Sequence, residues 1–211
     1  MPNWLSRRND STDWIVRQLD LQPHQHLLEV SCGSGRLLAA VANKLNNGFL
    51  AAIESEVTLY RQASRRNARY LLQDSLQLHL GQLYDLPYPA SYFHTIYGSG
   101  SYYSWNNFFT ECLRLISLLR IGGRLILLSQ PGHYRKEEDL RTEAARLQAA
   151  FLKAGLTDIQ TEYRGFPSGI CVAVTGFKPD MPVDAEDITA INNRLLNPEA
   201  YFISNVARMQ I

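Results

Sequence analysis

The sequence predicts an α/β protein: a doubly wound, mostly parallel sheet that finishes in an antiparallel hairpin, with helices on both faces. Three observations carry this. An apolar run at 26–30 breaks at a turn holding Gly33 and Gly35 and passes into an Ala/Leu-rich segment, the pattern of buried strand, tight turn and helix start. Short apolar runs then alternate with helix-period segments as far as residue 154. Two strands around a glycine-bounded turn follow, where a dinucleotide-type fold would continue with another crossover helix.

A length of 211 residues fits one domain with a sizeable core, and 45% hydrophobic with 19% charged residues reads as an ordinary globular chain. A formal net charge of +1 gives no general pull towards nucleic acid or an anionic membrane. Arg61, Arg65, Arg66 and Arg69 form the richest basic segment; 61, 65 and 69 fall on one helix face and read as a solvated surface. Cys32, Cys112 and Cys171 are odd in number and widely spaced, so neither a disulfide framework nor a metal site is expected. The start of the chain lacks a signal-peptide core, and no apolar run approaches the roughly 20 residues of a membrane helix. A reduced, cytoplasmic protein is the expectation.

In order, residues 1–25 are a helical lead-in, with an amphipathic helix at 11–20 carrying Trp14, Ile15, Val16 and Leu19. After the glycine turn a helix spans 36–46 and ends at Asn46-Asn47-Gly48. The second strand, 49–53, stops at Glu54, where a doubly wound sheet presents a ribose-binding carboxylate. A helix at 57–72, a third strand at Leu76–Leu80 and a fourth at 91–97 follow. Gly98, Ser99, Gly100 and Ser101 then lead into Tyr102, Tyr103 and Trp105; small residues feeding aromatics describe a pocket-lining loop, with a packed loop anchor as the other reading. The next helix, 106–119, places Phe109, Cys112, Leu113, Ile116 and Leu119 at core spacing. A fifth strand at 124–128 leads to a loop with His133. The helix at 135–154 opens with Glu137, Glu138 and Asp139, which suit its dipole, and buries Leu140, Ala144, Leu147 and Phe151. Strands at 159–164 and 170–177 form the hairpin around 165–169. Residues 179–211, with Ile188, Ile191, Leu195, Tyr201 and Phe202, read as a tail that packs on its own domain or on a second subunit.

Glu29-x-x-x-Gly33-x-Gly35 resembles the first motif of class I S-adenosylmethionine-dependent methyltransferases. Leu38, standing where a dinucleotide fingerprint has its third glycine, and the acid ahead of the turn both argue against NAD. The run Gly81-Gln82-Leu83, Leu86-Pro87-Tyr88, Ser91-Tyr92-Phe93 resembles the same family between its third and fourth strands. Ile121-Gly122-Gly123 resembles its Pro-Gly-Gly junction, and Tyr102-Tyr103-Ser104-Trp105 the aromatic segment of its small-molecule, ubiquinone/menaquinone-type members. The resemblance covers roughly residues 10–178 and implies a methyltransferase domain at 26–178, with seven strands in the order 3-2-1-4-5-7-6. It implies S-adenosylmethionine as cofactor and S-adenosylhomocysteine as product. Glu29, Ser31, Gly33 and Gly35 would then meet the methionine end, Glu54 and Ser55 the ribose, and Gln82 and Leu83 the adenine, with Gly98 and Ser99 beside them. Tyr102, Tyr103 and Trp105 would form the acceptor pocket, with His133 and Tyr102 the candidate catalytic groups, needed as bases only if the accepting atom carries a proton. The expected partner is a small-molecule acceptor, not nucleic acid or membrane, for a monomer or homodimer. Ser31, Gln82 and His94 stand where the family has Gly, Asp and Asp. They motivate the alternative of a methyltransferase-fold cofactor-binding or scaffold protein without turnover.

Overall fold

The chain, in a computed structural model that describes residues 4–100, 102, 105, 107–129 and 136–180, begins with α1 (Trp4–Gln18) and β1 (His26–Val30). There follow α2 (Arg36–Ala42), β2 (Phe49–Glu54), α3 (Val57–Arg66), α4 (Ala68–Leu72) and β3 (Leu76–Leu80). A 3₁₀ turn (Leu83–Asp85), β4 (Phe93–Ser99), α5 (Phe108–Leu118), β5 (Leu119–Leu128), α6 (Glu137–Lys153), β6 (Thr157–Phe166) and β7 (Gly169–Phe177) complete it. Among the described residues the sheet has seven strands in the order β3-β2-β1-β4-β5-β7-β6, as the resemblance implies. β1 to β5 pair in parallel, and β7 is antiparallel to both β5 and β6.

The central strands are apolar on both sides because helices cover both faces. Side-chain alternation sends Leu28, Val30, Ala51 and Ile53 beneath α5 and α6. Leu27, Leu50 and Ala52 turn the other way, beneath α1, α2 and α3. Trp14, Ile15 and Val16 of α1 and Leu19 just after it are buried, and so is the α6 stripe Leu140, Ala144, Leu147 and Phe151. The Trp14 indole N–H donates to Glu162 Oε1 at 3.0 Å and its ring stands edge-on to Phe166 at 5.8 Å, so α1 is tied to the hairpin strand β6.

Four sequence expectations change. The buried face of α5 is Cys112, Leu115 and Leu118, while Leu113 is 44% exposed. The segment is apolar on two adjacent faces, so helical spacing alone fits both. The helix expected over 57–72 breaks at Asn67 (φ −105°, ψ 14°), so Arg61 and Arg65 do not share a continuous helix with Arg69, although all three are exposed. β5 begins at Leu119, opposite Phe93, and bulges through Gly122 (φ 70°) before Arg124 resumes the ladder opposite Thr95. The hairpin is tighter than expected, with Pro167 and Ser168 alone between its strands. The expected tail lies, from residue 181, outside the described residues.

Candidate cofactor site

Where β1 gives way to α2 the backbone turns through left-handed conformations at Ser31 (φ 50°), Gly33 (φ 57°) and Gly35 (φ 70°). The position at which the resemblance puts a third glycine thus keeps a glycine's conformation, at a cost of roughly 1–2 kcal/mol for a serine. Gly35 is also required by packing. A Cβ there would stand 2.9 Å from the Ala63 Cα and 2.6 Å from Asn67 Nδ2. A Cβ on Gly33 would meet nothing within 4 Å, so the backbone there faces open space.

The turn is held from behind by residues that the sequence reading missed. Asn67 is fully buried, and its Nδ2 donates to Gly35 O (3.1 Å) and Ala63 O (2.9 Å). Arg66 Nη1 donates to Ser34 O (2.5 Å) and Ser34 Oγ (3.0 Å). The only sequence signal was an Asn inside a helix-period segment, a residue that competes with the helix for backbone hydrogen bonds.

Two acids converge on this turn. Glu54, 4% exposed at the end of β2, accepts from the backbone N–H of Gly33 (2.7 Å), Ser55 (2.9 Å) and Glu56 (3.0 Å). Charge-assisted bonds of this kind are the strong ones. Glu29, 3% exposed, accepts from the Tyr97 hydroxyl at 3.0 Å, across a β1–β4 register that sets the two residues side by side. Burial pushes the Glu29 carboxyl up to about 8; the Tyr97 bond opposes this and the charge of Glu54 adds to it. The same burial and the negative charge of Glu29 raise the Tyr97 hydroxyl well above its ordinary value, so it remains a donor. Cys32, also buried, has its thiol pushed up by burial and by both acids, which makes it filler and not a nucleophile.

The other expected residues are distributed as follows. Ser55 is exposed beside Glu54. Gly81 N–H donates to Glu54 O at 3.1 Å, bringing the exposed Gln82 next to the end of β2; the Gln82 N–H is bound by Asp85 Oδ2 at 2.7 Å. The Leu83 side chain is in the core, 8% exposed, so its backbone is the part available to a ligand. Gly98 is buried in β4 and Ser99 ends that strand opposite Leu128. Trp105 stacks on Phe108 at 5.5 Å. Tyr102 is 2% exposed, with its ring edge-on to Phe108 at 6.3 Å. Tyr103 and His133 lie outside the described residues. His94 is at the far end of β4, where Nδ1 accepts from the His26 N–H at 3.0 Å, so that departure falls away from the site.

A family model described as a methyltransferase domain matches residues 27–123, from β1 to the Gly122-Gly123 bulge. The chain carries a methyltransferase domain whose sheet has the strand order of the class I S-adenosylmethionine-dependent methyltransferases. This methyltransferase is 23% identical over 167 residues to the uncharacterized methyltransferase YdaC of Bacillus subtilis (strain 168), covering 79% of this chain and 90% of that protein. It is 27% identical over 115 residues to a demethylmenaquinone methyltransferase of Symbiobacterium thermophilum, 54% of this chain and 46% of that protein. A solved structure of a putative S-adenosyl-L-methionine-dependent methyltransferase from Methanococcus maripaludis has a TM-score of 0.65 at 18% identity, covering 82% of this chain and 85% of that one. Among the described residues of the methyltransferase no helix is long and apolar enough to cross a membrane, and no group of three or more His, Cys, Asp or Glu is placed to hold a metal ion.

Proposed function

We propose that this methyltransferase moves the methyl group of S-adenosylmethionine to a small-molecule acceptor, with Glu29 towards the methionine end and Glu54 towards the ribose. The observation that carries the reading is the convergence of the two buried acids on a glycine turn whose backbone at Gly33 is open. A carboxylate has about four lone-pair sites, so Glu54 can accept from ribose hydroxyls while keeping its backbone donors. Gln82, beside the end of β2, offers a carbonyl oxygen to the adenine amino group where the family has an Asp. Ser55 and the backbone of Leu83, Gly98 and Ser99 frame the same edge. The cofactor supplies a methyl group already activated on a positively charged sulfur. The protein's task is then alignment and water exclusion, which can supply about 7–11 kcal/mol in well-oriented systems. Trp105 offers an aromatic face to a flat or cationic partner, and Tyr103 is the candidate second aromatic of that pocket. The demethylmenaquinone methyltransferase among the relatives supports a flat aromatic acceptor, and His133 is the candidate base for a protonated one.

The test is transfer of labelled methyl from S-adenosylmethionine to a panel of small aromatic hydroxyl and amine acceptors. Turnover of at least one acceptor, lost in Glu54→Gln, is expected. A protein that S-adenosylhomocysteine stabilises thermally but that methylates nothing in the panel would contradict the reading.

A further inference from the structure

At the edge of the sheet opposite the glycine turn lies a cleft of about 370 Å³, lined by His94, Thr95, Arg120, Gly122, Gly123 and Arg124 among others. One contact in it cannot be satisfied by the protein alone. His94 Nδ1 accepts from the His26 backbone N–H at 3.0 Å, so that nitrogen carries no proton. A neutral imidazole must then carry its proton on Nε2. Yet Nε2 stands 2.6 Å from Arg120 Nη1, and a guanidinium only donates. Two donors face each other.

The charges around the pair say what would resolve this. Arg124 is committed: its guanidinium donates to Leu19 O, to Asp20 O at 3.1 Å and to Thr95 Oγ1 at 3.4 Å, with the Asp20 carboxylate 3.8 Å away. Lys178 Nζ is bound to Ile116 O (2.9 Å) and Leu119 O (2.7 Å), capping the end of α5. Among the described residues no carboxylate lies within ion-pair distance of Arg120. The His26 ring, 5.6 Å from His94, adds no acid. A water could accept from both donors but would leave the guanidinium charge uncompensated.

We infer that His94 and Arg120 form an oxyanion-binding site, for a phosphate or carboxylate group, on the edge remote from the cofactor turn. The anion parts the two side chains by a small swing of the exposed Arg120 and accepts from Nε2–H and from the guanidinium. His94 keeps its bond to His26 throughout.

The test is an imidazole ¹H–¹⁵N spectrum of the full chain, titrated with inorganic phosphate and, separately, with succinate. Saturable movement of the His94 Nε2 signal is expected with at least one of them, and the stronger responder identifies the class of anion. Loss of a charge-assisted bond in Arg120→Gln, an exposed position, should weaken that binding about tenfold while S-adenosylhomocysteine affinity is unchanged. The inference is overturned if His94 stays still with both anions, moves equally with sodium chloride at matched ionic strength, or responds as strongly in Arg120→Gln.

Discussion

Glu29 is a buried carboxyl beside a tyrosine hydroxyl and within the field of a second acid, and its pH behaviour follows from that placement. Burial raises it to about 8, so between its ordinary value of 4.5 and that point the folded protein holds a proton that the unfolded chain has released. The folded state then binds more protons, and stability falls as pH rises through this window. Thermal unfolding across pH 5–8 should show that decline in the wild type and a flatter profile in Glu29→Gln. A cationic ligand end favours the carboxylate, so S-adenosylhomocysteine should bind more tightly at pH 8 than at pH 6. Calorimetry in buffers of different ionisation enthalpy should record a proton released on binding. Both acids were legible in the sequence, because each ends an apolar strand run beside a turn signal. Tyr97 was not, since its role depends on the β1–β4 register that sets it against Glu29.

At the scale of elements, the sequence announced which segments are helices better than which way they face. The α6 stripe was legible because only one of its faces is apolar. In α5 two faces are apolar, and only packing on the sheet selects Cys112, Leu115 and Leu118. Leu115→Ala is therefore expected to cost about 2–5 kcal/mol, and Leu113→Ala, at a site 44% exposed, under about 1 kcal/mol; urea denaturation of the two variants compares them directly. The break between α3 and α4 was likewise hidden. Its reason is the turn that Asn67 reaches back to hold, a contact across thirty-two residues of chain. Asn67→Ala leaves the Gly35 and Ala63 carbonyls without that donor, at about 1–3 kcal/mol in denaturation. It should also weaken S-adenosylhomocysteine, although Asn67 lies behind the turn and not on its open side.

Over the described residues the molecule is a mostly parallel sheet whose carboxyl edge gathers the glycine turn, the end of β2 and the start of the 3₁₀ turn, and which closes with an antiparallel hairpin. The strand order was legible through the resemblance, and the hairpin through turn chemistry at 165–169. The clamp on the glycine turn and the His94–Arg120 contact were not, because each joins residues that only the folded sheet brings together. The central claim is that Glu54 and the glycine turn make one ligand-holding edge. Isothermal titration of S-adenosylhomocysteine into the wild type and into Glu54→Gln tests it most directly. The account predicts saturable binding to the wild type, weakened about tenfold or more in the variant. No heat of binding to a folded wild type, or equal affinity in the two proteins, would contradict it.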